Sequence, residues 1–396
     1  MTTTIIITIC LLLLLAYIFD ISSPLTRIPS VILLLLTGWS FKLLAEFLTI
    51  RIPDLNVLLP IFGTIGLILI VLEGALELQL NYSKIPLIKK ASFNALLPMM
   101  ITAFVLAIAF MYFGNVSYKT ALVNAIPFCV ISSAIAIPSV RNLSNADKEF
   151  VIYESSLSDI IGVIFFNFIA FNEYITGVSF AYFSLQLLLM ILISFLSVLG
   201  LSFLLSRIKH HITFTPIILM IILIYYLSKI YHLPGLIFIL IFGLFLGNLD
   251  EMKNFKWINK LRPEKLDKEV SKFKEITIEA TFLIRALFFL LFGFLMEAKE
   301  ILNPNTILWA AGIVLLIIGV RWFTLKITHL KAKPLLFVAP RGLITILLFL
   351  AIAPDQSIGL VNKSLIIQTI LISVLLMMFG LMAKKGIKTE VDQSIA

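Results

Sequence analysis

The sequence predicts an all-α polytopic membrane protein of about thirteen transmembrane helices, built as two inverted repeats whose discontinuous helices cross. Three observations predict it. The 396 residues are 60% hydrophobic and 13% charged, roughly half the charge of an average soluble chain. Apolar runs long enough to cross a bilayer recur along the whole length, without the alternation of barrel strands. Two of these runs are interrupted by proline an odd number of spans apart, which sets them in opposite orientation.

The expected spans fall near 4–20, 28–41, 56–80, 91–113, 120–140, 149–172, 180–206, 212–228, 233–249, 276–297, 305–325, 334–354 and 364–383. The first begins without Lys or Arg and no small-residue cleavage site follows, so it reads as a mature helix rather than a secretory signal. Basic residues set the orientation. Of the 31 Lys and Arg, 22 sit in loops or tails after odd-numbered spans, six follow even-numbered ones, and Arg285, Arg321 and Arg341 lie inside spans. Basic loops stay cytoplasmic, so the N-terminus is expected outside the cell (inner) membrane and the C-terminus in the cytoplasm.

The same distribution accounts for the net charge of +9 without nucleic acid, since the excess flanks the lipid bilayer. Residues 1–385 form one expected transmembrane domain, followed by a short cytoplasmic tail, 386–396. The charged stretch at about 250–275 reads as a solvated amphipathic connector. No phosphate-cradling glycine loop is present. Cys10 and Cys129 fall within spans and read as apolar filler. His210, His211, His232 and His329 sit at span ends without ligand spacing.

The sharpest chemical signal is Glu154-Ser155-Ser156-Leu157-Ser158-Asp159, set in a stretch otherwise fit for lipid. Asp159 lies about ten residues into its span, where a carboxylate costs several kcal/mol unless a partner, water or an ion relieves it. Ser155 is four residues before Asp159, hence on the same helical face, with Ser158 beside them. Three oxygen-bearing side chains, one of them ionisable, describe a site where a small hard cation and a proton compete. Asp159 is the expected ligand of a monovalent cation. Ser155, Ser158 and the backbone near Ser132 and Ser133 complete an oxygen shell.

Ser132 and Ser133 lie in the first interrupted span, bracketed by Pro127 and Pro138; the second is centred on Pro340, Arg341 and Gly342. Proline removes a backbone donor and leaves carbonyls that need new partners. Broken helices at matching places in two inverted halves mark a transporter's central site. Depth sorts the remaining charges. Glu154 and Arg321 lie about four or five residues from the cytoplasmic ends of their spans, which makes them partners in a structural strut. Arg341 is expected to neutralise helix C-terminal dipoles near Asp159 without touching it. Glu73, in the cytoplasmic half of the third span, is expected to shape an entry funnel, and Arg285 to be balanced locally by Glu279.

These segments resemble the monovalent cation:proton antiporter superfamily, in its bacterial, sodium/hydrogen exchanger-like form. The 154–159 hexapeptide is similar to that superfamily's Glu-Ser-x-x-Asn-Asp signature, with Ser158 where the electroneutral branch has Asn and the electrogenic branch a second Asp. Ser132-Ser133-Ala134-Ile135-Ala136 resembles the Ser-Ser-Thr-Ala-Ile form of the unwound helix. Arg321 in Ile-Gly-Val-Arg-Trp-Phe, Arg341 in Ala-Pro-Arg-Gly-Leu-Ile, Arg27-Ile28-Pro29-Ser30-Val31 and Leu72-Glu73-Gly74-Ala75-Leu76-Glu77-Leu78 match further family positions.

The resemblance implies an antiporter fold, a homodimer, and a core that moves like an elevator around a midplane site. It implies no cofactor beyond the transported H+ and Na+, K+ or Li+. The expected activity is exchange of a monovalent cation for a proton, electroneutral at 1:1 because one carboxylate changes state. The alternative is a sodium-coupled symporter in which Arg341 holds an organic anion. An enzyme is not expected, since neither a membrane aspartyl pair nor His-Glu-x-x-His is present.

Overall fold

The computed structural model describes residues 2–26, 28–49, 54–78, 82–172, 176–207, 214–231, 233, 235–248 and 263–383. Among them there are helices and no strands, as a chain surrounded by lipid requires. The helices are α1 (Thr2–Thr26), α2 (Ser30–Phe47), α3 (Leu58–Glu77), α4 (Ile85–Gly114), α5 (Tyr118–Ala125), α6 (Ser133–Ser139), α7 (Asn145–Phe171) and α8 (Gly177–Arg207). They continue as α9 (Thr215–Ile230), α10 (Gly235–Gly247), α11 (Pro263–Leu295), α12 (Ala298–Ile301), α13 (Pro304–Ile327), α14 (Ala332–Leu335), α15 (Leu343–Leu350) and α16 (Lys363–Met382).

Local chemistry sets several of the starts. Ser144 caps α7 by accepting from the Asp147 amide, and Asp147 places a negative charge in the positive first turn. Ser117, Asn303 and Asn362 cap α5, α13 and α16 in the same way. Pro304 opens α13, where its missing N–H costs nothing.

Nine stretches among the described residues are long and apolar enough to cross a bilayer alone, fewer than the thirteen spans expected. Three others are shorter apolar helices, Ile7–Ser23, Ile217–Ile230 and Gly235–Gly247. A fourth, residues 334–354, is broken between α14 and α15. Short helices are tolerated where protein rather than lipid surrounds their ends, and most of α10 is buried. The expected connector also differs. Residues 263–275 belong to α11, and Val270 and Phe273 are buried, so this charged stretch is helix continuous with its span rather than a separate connector. Residues 250–262, the 386–396 tail, His210, His211 and His232 lie outside the described residues.

Two bundles result. In one, α1, α2, α3, α8, α9, α10 and α11 pack together; in the other, α4, α5, α6, α7, α13, α15 and α16. They meet chiefly along α3, which touches α6, α7 and α15. Within the first bundle Gly38 lies against the Leu290 backbone and Gly293 against that of Leu35. A Cβ at either position has no room, so α2 and α11 approach backbone to backbone. Outward rows such as Leu185, Leu188, Leu192 and Leu196 on α8 are exposed, the surface a bilayer covers.

Candidate functional site

The centre of the molecule is a crossing of two interrupted helices. α5 tightens into a short 3₁₀ turn, Ile126–Phe128, and the chain then runs extended to Ser132 before α6 begins. Opposite it, α14 ends, and the chain from Leu336 to Gly342 passes beside the first segment before α15 begins. The Ser132 amide donates to the Pro340 carbonyl at 2.9 Å, joining the two breaks. Gly342 allows this approach: a Cβ there would lie 2.6 Å from Ile135 Cδ1 and 2.9 Å from Ser132 Oγ.

Arg341 is buried at this crossing. Its Nε donates to the Phe128 carbonyl and its Nη1 to the Ala339 carbonyl at 2.9 Å, while its amide donates to Ser373 Oγ at 3.0 Å. The guanidinium therefore satisfies carbonyls freed by both breaks and sets positive charge against their negative ends. Both guanidinium bonds go to backbone carbonyls, and among the described residues none joins Arg341 to Asp159.

Asp159 is 2% exposed. Its Oδ2 accepts from the Ser133 amide at 3.2 Å and, closely, from the Ser133 hydroxyl. Among the described residues its Oδ1 has no hydrogen-bond partner, and Ser132 Oγ is likewise buried without one. The expected face of α7 is present, but its serines divide their roles. Ser158 Oγ accepts from the Ile131 amide at 2.9 Å, so it holds the extended segment in place. Ser155 Oγ donates to the Val151 carbonyl of its own helix at 2.7 Å, leaving only its lone pairs for a cation.

One turn earlier, Glu154 and Arg321 form a bidentate ion pair at 2.7 and 2.8 Å, both side chains almost wholly buried. Arg321 Nε also donates to the Leu335 carbonyl at 2.8 Å, which ties α7, α13 and α14 together. Both carboxylate oxygens are used. This is a strut.

Glu73 is half-buried on α3 with the Arg285 charge acting on it from α11, while Thr281 Oγ1 donates to the Thr277 carbonyl of its own helix at 2.7 Å. Arg285, expected to answer Glu279 on its own helix, thus also serves Glu73; all three line one cavity of about 540 Å³. That cavity reaches Ser133, the residue holding Asp159, and takes in Asp20, Gly74 and Arg141. A second cavity of about 390 Å³ lies toward the other end of α7, with Asn167, Tyr182, Tyr225 and Lys229 in its wall. The sequence reading missed Ser373, whose hydroxyl accepts from the Arg341 amide. A lone serine in an apolar helix offers no signal that could have pointed to it.

Comparison with known proteins places this geometry. Residues 10–385 match the family model "Sodium/hydrogen exchanger, transmembrane". A structure of the sodium proton antiporter MjNhaP1 from Methanocaldococcus jannaschii, at pH 8, superposes with a TM-score of 0.67 at 20% identity, covering 96% of each chain. An electron-microscopy structure of the same antiporter gives 0.68 at 19% identity, covering 97% of this chain and 96% of the other. At that identity the likeness shows a shared fold. No curated protein matches the chain. The family match nonetheless runs through both broken helices, the α7 carboxylates and nearly all the remaining sequence, so the chain belongs to the sodium/hydrogen exchanger family of multi-pass transmembrane transporters.

Proposed function

We propose that Asp159 is the exchange site, binding H+ in one step and Na+, K+ or Li+ in the next, and that one of each crosses per cycle. A single observation carries this reading: a buried carboxylate with one oxygen held by Ser133 and the other without a protein partner, at the junction of two unwound segments. Low-dielectric surroundings disfavour an uncompensated charge, so an unpaired Oδ1 calls for a proton or a cation. Ser132 Oγ, the lone pairs of Ser155 and the carbonyls of the extended segment are the further oxygens for a dehydrated monovalent ion. Ser158 acts on them indirectly, by fixing the segment through Ile131.

Electroneutrality follows from counting. Glu154 is neutralised by Arg321, and Arg341 keeps its charge throughout, so Asp159 alone changes state. The 540 Å³ cavity, whose wall carries the basic residues Lys84, Arg141, Lys148 and Lys274, faces the cytoplasm on the positive-inside reading. Alternation then consists of the α4–α7 and α13–α16 bundle sliding along α3, within one domain spanning 1–385, as a homodimer. The symporter alternative needs Arg341 free to hold an organic anion, and its Nε and Nη1 already serve backbone carbonyls.

Everted membrane vesicles loaded with a pH-sensitive dye test the reading. Adding Na+, K+ or Li+ salts is expected to dissipate an imposed proton gradient with wild type and to leave it intact with Asp159→Asn. The rate is expected not to follow an imposed membrane potential. A rate that tracks the potential contradicts 1:1 exchange, and organic-acid uptake in place of cation-driven proton movement overturns the assignment.

A further inference from the structure

At the mouth of the 540 Å³ cavity, Arg141 Nη1 lies 3.1 Å from Asp20 Oδ2. Asp20 Oδ1 is held by Ser30 Oγ at 3.5 Å. The two partners belong to different bundles. Asp20 is on α1, which packs against α2 and α11. Arg141 lies just beyond the C-terminal end of α6, the short half-helix whose first residue, Ser133, holds Asp159. Other ion pairs run differently: Glu154–Arg321 and Lys84–Glu149 lie within the site-bearing bundle and Lys42–Glu46 within α2.

We infer that Asp20 and Arg141 are a positioning pair: an ion-pair tether that holds α6 against the stationary bundle while the site faces this cavity, and that must part when the site turns to the other side. The inference rests on the alternating-access reading above. An α6 that moves with α7 carries Arg141 away from α1, whereas Lys84 and Glu149 travel together. The tether therefore weights the two facings of the site without touching the transported ion. A partly exposed ion pair of this kind is worth about a fivefold change in that balance.

The sign of the effect separates a tether from simple electrostatics. As isolated charges near a cation pathway, Asp20 attracts cations and Arg141 repels them, so Asp20→Asn and Arg141→Gln would shift the apparent cation KM in opposite directions. As a tether, both variants do the same thing: they depopulate the facing open to this cavity. The test is the apparent KM for the cation presented to each face, in everted and right-side-out vesicles of the full-length protein. Each single variant is expected to raise the ratio of the cavity-side to opposite-side KM about fivefold, following the lost population. The swapped Asp20→Arg/Arg141→Asp variant is expected to return the ratio toward wild type, and Lys84→Gln to leave it alone. Opposite shifts in the two single variants, unmoved ratios, or a swap that behaves like the singles overturn the tether. All are read in protein whose exchange is abolished by Asp159→Asn, so failure of the exchange assignment shows separately.

Discussion

Two carboxylates on one helix, five residues apart, have opposite surroundings. Glu154 has both oxygens gripped by Arg321, which in turn braces the Leu335 carbonyl. Asp159 has one oxygen held by Ser133 and the other bare. Each is buried in the same bundle and each costs free energy to bury. The difference lies in what satisfies them. A carboxylate closed by a guanidinium fork has no reason to change state, whereas one left half-satisfied can accept a proton or a metal ion without breaking a strong pair. On the proposed reading, a buried carboxylate marks the exchange site by its incomplete pairing rather than by burial alone.

The contrast is broken most forcefully at Asp159. Asp159→Asn is expected to abolish cation-driven proton movement, a loss of at least about 100-fold, since the ionisable group itself is gone, while the purified protein keeps near wild-type thermal stability. Glu154→Gln is expected to do the reverse in kind. Leaving Arg321 as an unpaired buried charge costs about 3–5 kcal/mol, so folded yield and melting temperature should fall sharply. Pairing it with Arg321→Met should recover much of that stability. Equal stability in Glu154→Gln and Asp159→Asn would erase the distinction drawn here.

Smaller changes sharpen it. Ser133→Ala removes a hydroxyl donor to a carboxylate and is expected to raise the apparent cation KM about tenfold, in line with the worth of a hydrogen bond to a charged group. Ser158→Ala leaves the Ile131 amide without its acceptor, a cost of about 1–3 kcal/mol, and should appear in stability as well as transport. The Ser155 hydroxyl proton already goes to Val151, so Ser155→Ala is expected to change KM by no more than about threefold. In wild type, competition for one carboxylate makes the apparent cation KM fall as pH rises, by at most about tenfold per unit.

Much of this was legible in the sequence because lipid is an exacting solvent. Charges stranded in apolar runs have to be explained, and residue depth alone joined Glu154 to Arg321 although 167 positions separate them. Paired prolines located the crossing. The division of labour among the serines was not legible. Helical spacing places Ser155, Ser158 and Asp159 on one face, but which hydroxyl meets an ion depends on where the neighbouring backbone passes. Ser158 is claimed by an amide in the extended segment and Ser155 by its own helix. Arg341 was legible in kind, as a charge set against helix ends without touching Asp159; which carbonyls it meets, Phe128 and Ala339, was not, because they become available only once two helices unwind side by side. The charged stretch at 250–275 was legible as amphipathic but not as helix: residues 263–275 continue the α11 span, with Val270 and Phe273 buried, and charge count alone does not show where a connector ends and a span begins.

Proton release on cation binding tests the central claim most directly. Purified protein in weakly buffered detergent solution, titrated with NaCl, KCl and LiCl against a choline chloride control, is monitored with a pH indicator. At least one alkali cation should displace about one proton per chain from wild type and none from Asp159→Asn. Equal release from the two proteins, or cation binding by wild type with no proton released, would contradict the account.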